Sequence, residues 1–164
     1  MICLLDTAAI IHEIRLECKE IYLTSKIIEE AKTLKAKLRL DYILAKGKIY
    51  EPSKSTLKKI KEEIKELVKK DLSEADFELI ASAFELKEIF GNNLIVYTDD
   101  YSIQNILSFF GINFKPVATK GIKRVIKWIG YCKNCNRYSN DYNKNCEICG
   151  GKLIKVPLKK SKLI

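Results

Sequence analysis

Histidine occurs once in the 164 residues, at His12. A single imidazole excludes a histidine pair for acid–base work and any metal site built on several histidines. A Ser-His-Asp triad would have to use His12, which lies among helix-forming residues, and no Gly-x-Ser-x-Gly elbow is present. The seven glycines are scattered, so no glycine-rich phosphate loop can be drawn. No run of 18 apolar residues exists, and Asp6 interrupts the opening stretch 1–5. These features argue against a membrane span and a signal peptide, and the expected compartment is the cytoplasm. Any chemistry must come from carboxylates, from cysteines or from a bound metal.

What is present is a globular composition, 47% apolar and 31% charged, with charge unevenly placed. Residues 1–119 carry 18 Lys and Arg against 19 Asp and Glu, whereas residues 120–164 carry 12 against 2. The whole positive excess of the chain, formally +9, therefore lies in its last quarter, together with Trp128, Tyr131, Tyr138 and Tyr142. Cations interleaved with aromatics offer phosphate neutralisation and base stacking together, which points to a nucleic acid. The plainer reading is that the lysines only solubilise a small domain.

Of the six cysteines, Cys3 and Cys18 sit in apolar or amphipathic runs and read as small buried hydrophobes. The other four form Cys132-x-x-Cys135 and Cys146-x-x-Cys149, separated by ten residues. Each pair can grip one ion from a tight turn, and the spacer allows a hairpin to bring the pairs together. Four thiolates suit a closed tetrahedral Zn²⁺ site, with disulfides the alternative. Gly150-Gly151 supplies the permissive backbone of such a turn. About 25 residues cannot bury an adequate core, so the metal is expected to fold this module.

Before the ribbon, short apolar runs at 2–5, 21–24, 94–98 and 112–116 read as strands. Helices are expected over 7–19 (Ala9, Ile10, Ile14 and Leu16 inward), 25–38, 55–70, 73–90 and 101–110, with 39–52 ambiguous. In 55–70, Leu57, Ile60, Ile64, Leu67 and Val68 form one stripe. Its other face pairs Lys58 with Glu62, Lys59 with Glu63 and Glu66 with Lys70. Alternating strands and helices predict an α/β fold, a parallel sheet flanked by helices, over 1–120. A linker over 121–130, a zinc ribbon over 131–157 and a fraying basic tail over 158–164 complete the division.

In a parallel sheet, sites form beyond the carboxyl ends of the strands. Asp6 follows the first strand, and Asp99 and Asp100 follow the strand LIVYT. In helix 25–38 the apolar face is Ile27, Ile28, Ala31, Leu34 and Leu38; Glu30 borders it, and Glu29 points away. In helix 73–90, Glu78 and Glu85 share a solvated face. Asp76 lies opposite, toward Ile80 and Ala83, where it either joins the acidic edge or completes a capping box with Ser73. Several acids at one edge repel each other unless Mg²⁺ or Mn²⁺ neutralises them.

LLDTA at 4–8, TSKIIEEA at 24–31, LSEADFELIASA at 72–83 and YTDDYSIQN at 97–105 resemble the four acidic motifs of PIN-domain nucleases. Together with a Trp before the first CxxC and the four-cysteine ribbon, the chain is similar to the archaeal Nob-type PIN endoribonucleases over roughly 2–157. Lys70-Asp71 stands where Gly-Asp is expected, and Ser25 where proline is common. The resemblance implies that Asp6, Glu30, Asp76 and Asp100 bind Mg²⁺ or Mn²⁺, with Asp99 adjoining and Thr7 as the small hydroxyl residue after the first acid. It implies a ribosome-biogenesis endonuclease that hydrolyses precursor ribosomal RNA near the 3′ end of the small-subunit RNA, working with the pre-ribosomal particle. In the ribbon, Lys133, Arg137 and Lys144 would meet phosphates, and Tyr138 or Tyr142 would stack on bases or serve as the ribbon's own small core. Rival readings are a non-catalytic RNA-binding assembly factor, a toxin-type PIN ribonuclease and a DNA-binding ribbon protein.

Overall fold

The computed structural model describes residues 1–12, 17–64, 67, 72–123, 125–140 and 144–158. Expectations for Ile14, Leu16, Val68, the Glu66–Lys70 pair, Lys70-Asp71, Tyr142 and the tail past Leu158 lie outside the described residues.

Strands β1 (Ile2–Leu5), β2 (Glu20–Leu23), β3 (Gly47–Ile49), β4 (Leu94–Tyr97) and β5 (Phe114–Lys115) form one parallel sheet in the order β3-β2-β1-β4-β5. Both faces of the sheet are covered, which is why its central strands read as continuous apolar runs. Ile2, Leu4, Leu94 and Val96 point to one side, against α4 (Lys54–Glu63), α5 (Glu74–Phe90) and α6 (Tyr101–Phe109). Cys3, Leu5, Leu23 and Tyr97 point to the other, against α1 (Thr7–Ile11), α2 (Ser25–Glu30) and α3 (Leu34–Leu44). The expected α/β sheet with flanking helices is the observed fold.

Several local expectations are corrected, the helix expected over 7–19 among them: α1 ends at Ile11, where His12 turns extended. Helix 25–38 is two helices: Ala31 leaves the helical region with ψ 69°, and the Thr33 hydroxyl caps a new start at Ala36 N. The break turns Leu34 and Leu38 outward, 75% and 64% exposed, and α3 packs through Ala36, Leu40 and Ile43 instead. The ambiguous stretch holds the rest of α3 and the edge strand β3. Cys3 and Cys18 are not separate packed hydrophobes but are joined in a disulfide, their Cα atoms 5.9 Å apart, where the segment entering β2 is held at the start of β1 by the Lys19 N–H on the Met1 carbonyl at 2.8 Å.

Glu78 and Glu85 are half-buried ties, not a solvated face. Glu78 accepts the Lys26 N–H at 2.9 Å, so it caps the start of α2. Glu85 accepts the Tyr50 hydroxyl and the Ser53 N–H and hydroxyl, which anchors the chain entering α4.

A second sheet, antiparallel and ordered β7-β6-β8, is built from β6 (Lys127–Cys132), β7 (Tyr138–Ser139) and β8 (Leu153–Leu158). Strand β6 begins inside the stretch read as linker, because Lys127 pairs with Leu158 and Trp128 with Pro157. Asn105 joins the two sheets' surroundings: its amide donates to the carbonyls of Leu67 and Ile126 and accepts the Ile126 N–H at 2.6 Å.

Candidate active site and metal centre

The strand order reverses direction between β1 and β4, so the crevice beyond their carboxyl ends is a topological switch point. Asp6 leaves β1 there, and Thr98, Asp99 and Asp100 leave β4 beside it, with the Asp6 N–H on the Tyr97 carbonyl at 3.0 Å. Asp6 is 8% exposed. Its carboxylate accepts the Thr7 N–H at 2.6 Å and the Thr98 hydroxyl at 2.5 Å. Burial pushes the Asp6 carboxyl up to about 6; the Thr98 and Thr7 hydrogen bonds oppose this, and the charges of Asp76 and Asp100 add to it. A carboxyl held this way gives up its proton less readily than a free one, and a cation beside it would favour the ionised form.

Asp100 caps α6, accepting the N–H groups of Ser102 and Ile103, while its own N–H donates to Thr98 Oγ1 at 3.1 Å. Asp76 completes the capping box with Ser73: Asp76 Oδ2 accepts the Ser73 N–H at 2.8 Å, and Ser73 Oγ accepts the Asp76 N–H. Capping and the acidic edge are not alternatives, since the same carboxylate raises the Asp6 pKa by charge repulsion. Glu30 lies exposed at the end of α2 and meets the site through Thr7, whose hydroxyl donates to Glu30 Oε2 at 3.3 Å.

Asp99 is placed differently. Its carboxylate accepts the N–H groups of Val117, Ala118 and Thr119 and the Thr119 hydroxyl. Burial alone would raise it, but these donors outweigh burial and hold it below the usual carboxylate range. Asp99 thus anchors the turn after β5, while Asp100 faces the acids.

Two residues not singled out from sequence complete the region. Thr98 is fully buried and links Asp6 to Asp100. Gln104 is fully buried too; it donates to the Thr98 carbonyl at 2.8 Å and accepts the Ile122 N–H at 2.9 Å. The only sequence signal was their presence in the YTDDYSIQN stretch.

In the second sheet, Cys132, Cys135, Cys146 and Cys149 bring their four sulfurs within 4.8 Å of one another. The pairs Cys132–Cys149, Cys135–Cys146 and Cys135–Cys149 stand 3.4, 3.5 and 3.8 Å apart. Tetrahedral Zn–S bonds of about 2.3 Å require sulfurs about 3.8 Å apart, so the set fits a closed zinc site. Each turn is backbone-bonded, Cys132 N–H to Arg137 O and Gly150 N–H to Cys146 O, and positive φ at Asn136 and Gly150 allows the reversal. Backbone N–H groups of Cys149 and Ile148 bring the Cys146 thiol down to about 6, favouring the thiolate that a metal needs.

Around this centre Lys133, Arg137 and Lys144 are exposed. Tyr138 is 67% exposed and packs its ring against Tyr131 at 5.1 Å, so it has one ring face on the ribbon and most of its surface in solvent.

Residues 3–86, just over half the chain, match the family model described as PIN domain of ribonuclease. The Endoribonuclease Nob1 of Pyrococcus abyssi is 34% identical over 141 residues, covering 83% of this chain and 83% of its own. The Endoribonuclease Nob1 of Methanothermobacter thermautotrophicus is 34% identical over 158 residues, covering 92% and 90%. A Ribonuclease VapC1 of Thermoplasma acidophilum is 30% identical over 154 residues, covering 92% and 75%.

Proposed function

The chain belongs to the Nob1 family of PIN-domain endoribonucleases, and from that membership we propose that it is a divalent-metal-dependent endoribonuclease. Its substrate is precursor ribosomal RNA, cut at or near the 3′ end of the small-subunit RNA, in the setting of the pre-ribosomal particle. The observation that carries the catalytic part is the Asp6 carboxylate, buried at the switch point, acted on by the charges of Asp76 and Asp100 and raised to about 6.

Asp6, Asp76 and Asp100, with Glu30 at the rim, are the residues that would hold Mg²⁺ or Mn²⁺. When bound there, such an ion supplies a more acidic water and neutralises charge building on the phosphate. The chain's own part is orientation. Thr98 and Thr7 fix the Asp6 carboxylate, and the capping contacts of Asp76 and Asp100 fix theirs. Attack by water leaves a 5′-phosphate and a 3′-hydroxyl. Asp99 supports this edge by holding the 117–119 turn.

Zn²⁺ held by the four cysteines is structural, because four protein ligands leave no open position. The ribbon then presents Lys133, Arg137 and Lys144 to RNA phosphates and Tyr138 to a base. No helix among the described residues is long and apolar enough to cross a membrane, and we assign the protein to the cytoplasm.

The test is cleavage of a short RNA spanning the mature 3′ end of small-subunit RNA, with Mn²⁺, against Asp6→Asn and EDTA controls. A single cut that both controls abolish is the expected result. Tight binding without metal-dependent cutting would favour the assembly factor, and cutting of messenger or transfer RNA instead would favour the toxin-type PIN ribonuclease.

A further inference from the structure

A cavity of about 200 Å³ opens between the start of α6 and the segment that leads into the ribbon. Leu67, Ile122, Ile126 and Trp128 line it together with Tyr101, Ser102 and Asn105 of α6. It is small beside the 300–1,000 Å³ of sites for drug-sized ligands, so it suits a single flat ring system.

The position of the cavity is set by contacts already described. Tyr101 and Ser102 directly follow Asp100, whose carboxylate holds the Ser102 N–H at 2.6 Å. The opposite wall is pinned by Gln104 on the Ile122 N–H and by Asn105 on both polar groups of Ile126. The polar capacity of Asn105 is thereby committed, which leaves apolar and aromatic surface inside the cavity. Lys123 and Lys127 follow the lining residues Ile122 and Ile126 directly in sequence, Lys127 with its ammonium 5.0 Å from the centre of the Phe109 ring, and this segment opens the cation-rich last quarter of the chain. An apolar slot with two aromatic rings, set in a cation-rich stretch of sequence and next to the residue that follows the acid Asp100, matches one ligand chemistry: a base beside a phosphodiester.

We propose that this cavity receives one unstacked nucleobase of the RNA strand, next to the scissile phosphate, held against Trp128 and Tyr101. The inference rests on the endoribonuclease reading and adds to it a second, position-specific contact outside the metal ligands. It also gives a role to the tryptophan that precedes the first CxxC: Trp128 stands in a ribbon strand but lines a cavity shared with α6. Base–aromatic stacking costs about 1–3 kcal/mol on removal, or roughly five- to 150-fold in affinity.

Trp128 is the chain's single tryptophan, so its emission reports on the cavity directly. The zinc-loaded full chain carrying Asp6→Asn is titrated with an oligoribonucleotide spanning the mature 3′ end of small-subunit RNA, then with a series in which one nucleotide at a time is abasic. We expect saturable quenching that is lost at one position flanking the cut, where binding also weakens roughly five- to 150-fold. In the cleaving protein, Tyr101→Ala, at a residue 52% exposed, and Trp128→Ala should raise KM for the intact RNA and lose their effect on the RNA abasic at that position, while Trp128→Phe restores binding. Metal-dependent cutting with unchanged emission, or with quenching equal at every abasic position, overturns the cavity and leaves the nuclease standing. RNA that is neither bound nor cut overturns both.

Discussion

The Thr98 hydroxyl stands between Asp6 and Asp100: it donates to the Asp6 carboxylate at 2.5 Å and accepts the Asp100 N–H at 3.1 Å. One buried oxygen therefore sets the relative placement of acids from the two central strands. Thr98→Val keeps the shape and removes this link. The Asp6 carboxyl should rise further above its present value, since a hydrogen bond that lowers it is gone. Mn²⁺ affinity measured by calorimetry should fall about 10- to 100-fold, as for other partners that orient metal ligands, and Thr98→Ser should restore most of it. Unchanged affinity in Thr98→Val would remove the hydroxyl from the site.

Asp6 gives a pH prediction with a definite sign. Its carboxyl is raised from 3.8 to about 6 in the folded protein. The folded state therefore holds its proton more tightly than the unfolded chain. This contribution to stability is full below pH 4 and is lost as pH rises through 6, by about 3 kcal/mol. Metal-free Asp6→Asn should accordingly melt higher than the metal-free wild type at pH 7, while cleaving no RNA. Mn²⁺ should stabilise the wild type at pH 7 and do so progressively less below pH 6. Equal melting of the two metal-free proteins at pH 7 would contradict the burial argument.

The zinc ribbon should fold with its metal and separately from the parallel sheet. Chelation, or Cys146→Ser, is expected to abolish the β6–β8 pairing while the signals of Leu4, Leu79 and Ile103 in the main core persist in NMR spectra. RNA affinity should fall, and the slope of its salt dependence should become shallower as Lys133 and Arg137 lose their places. Metal analysis should return one zinc per chain. Loss of the main-core signals would mean that the two parts fold as one.

The parts legible in the sequence were those whose signal is local. Strands β1 and β4 are buried on both faces, so ICLL and LIVY announced themselves, and the acids at their ends followed from topology. The CxxC spacing likewise carries its own geometry. Strand β3 did not announce itself: Gly47-Lys48-Ile49 is a short edge strand with little burial. The break after Ala31 lacks Gly or Pro, and only the Thr33 cap marks it. Asp99 and Asp100 are indistinguishable as a dipeptide; what separates them is a turn at 117–119 that takes one carboxylate and leaves the other. Thr98 acts on a residue 92 positions away, and no local pattern encodes that.

The pairing of Cys3 with Cys18 ties β1, three residues ahead of Asp6, to the segment entering β2. The bond closes a loop of 15 residues, for which chain entropy gives about 3 kcal/mol. Native protein freed of zinc and then denatured should show four reactive thiols, not six, and six after reduction. Cys18→Ser should lower the melting temperature by about 6–12 °C in a chain of this size. The alternative behaviour, six thiols without reductant, would mean that Cys3 and Cys18 are only packed together. The two outcomes also differ at the active site. Cys3 is fully buried in the core on one face of β1, the strand that delivers Asp6, so reduction of a real cross-link should loosen the strand end that carries the carboxylate and weaken Mn²⁺ binding along with stability.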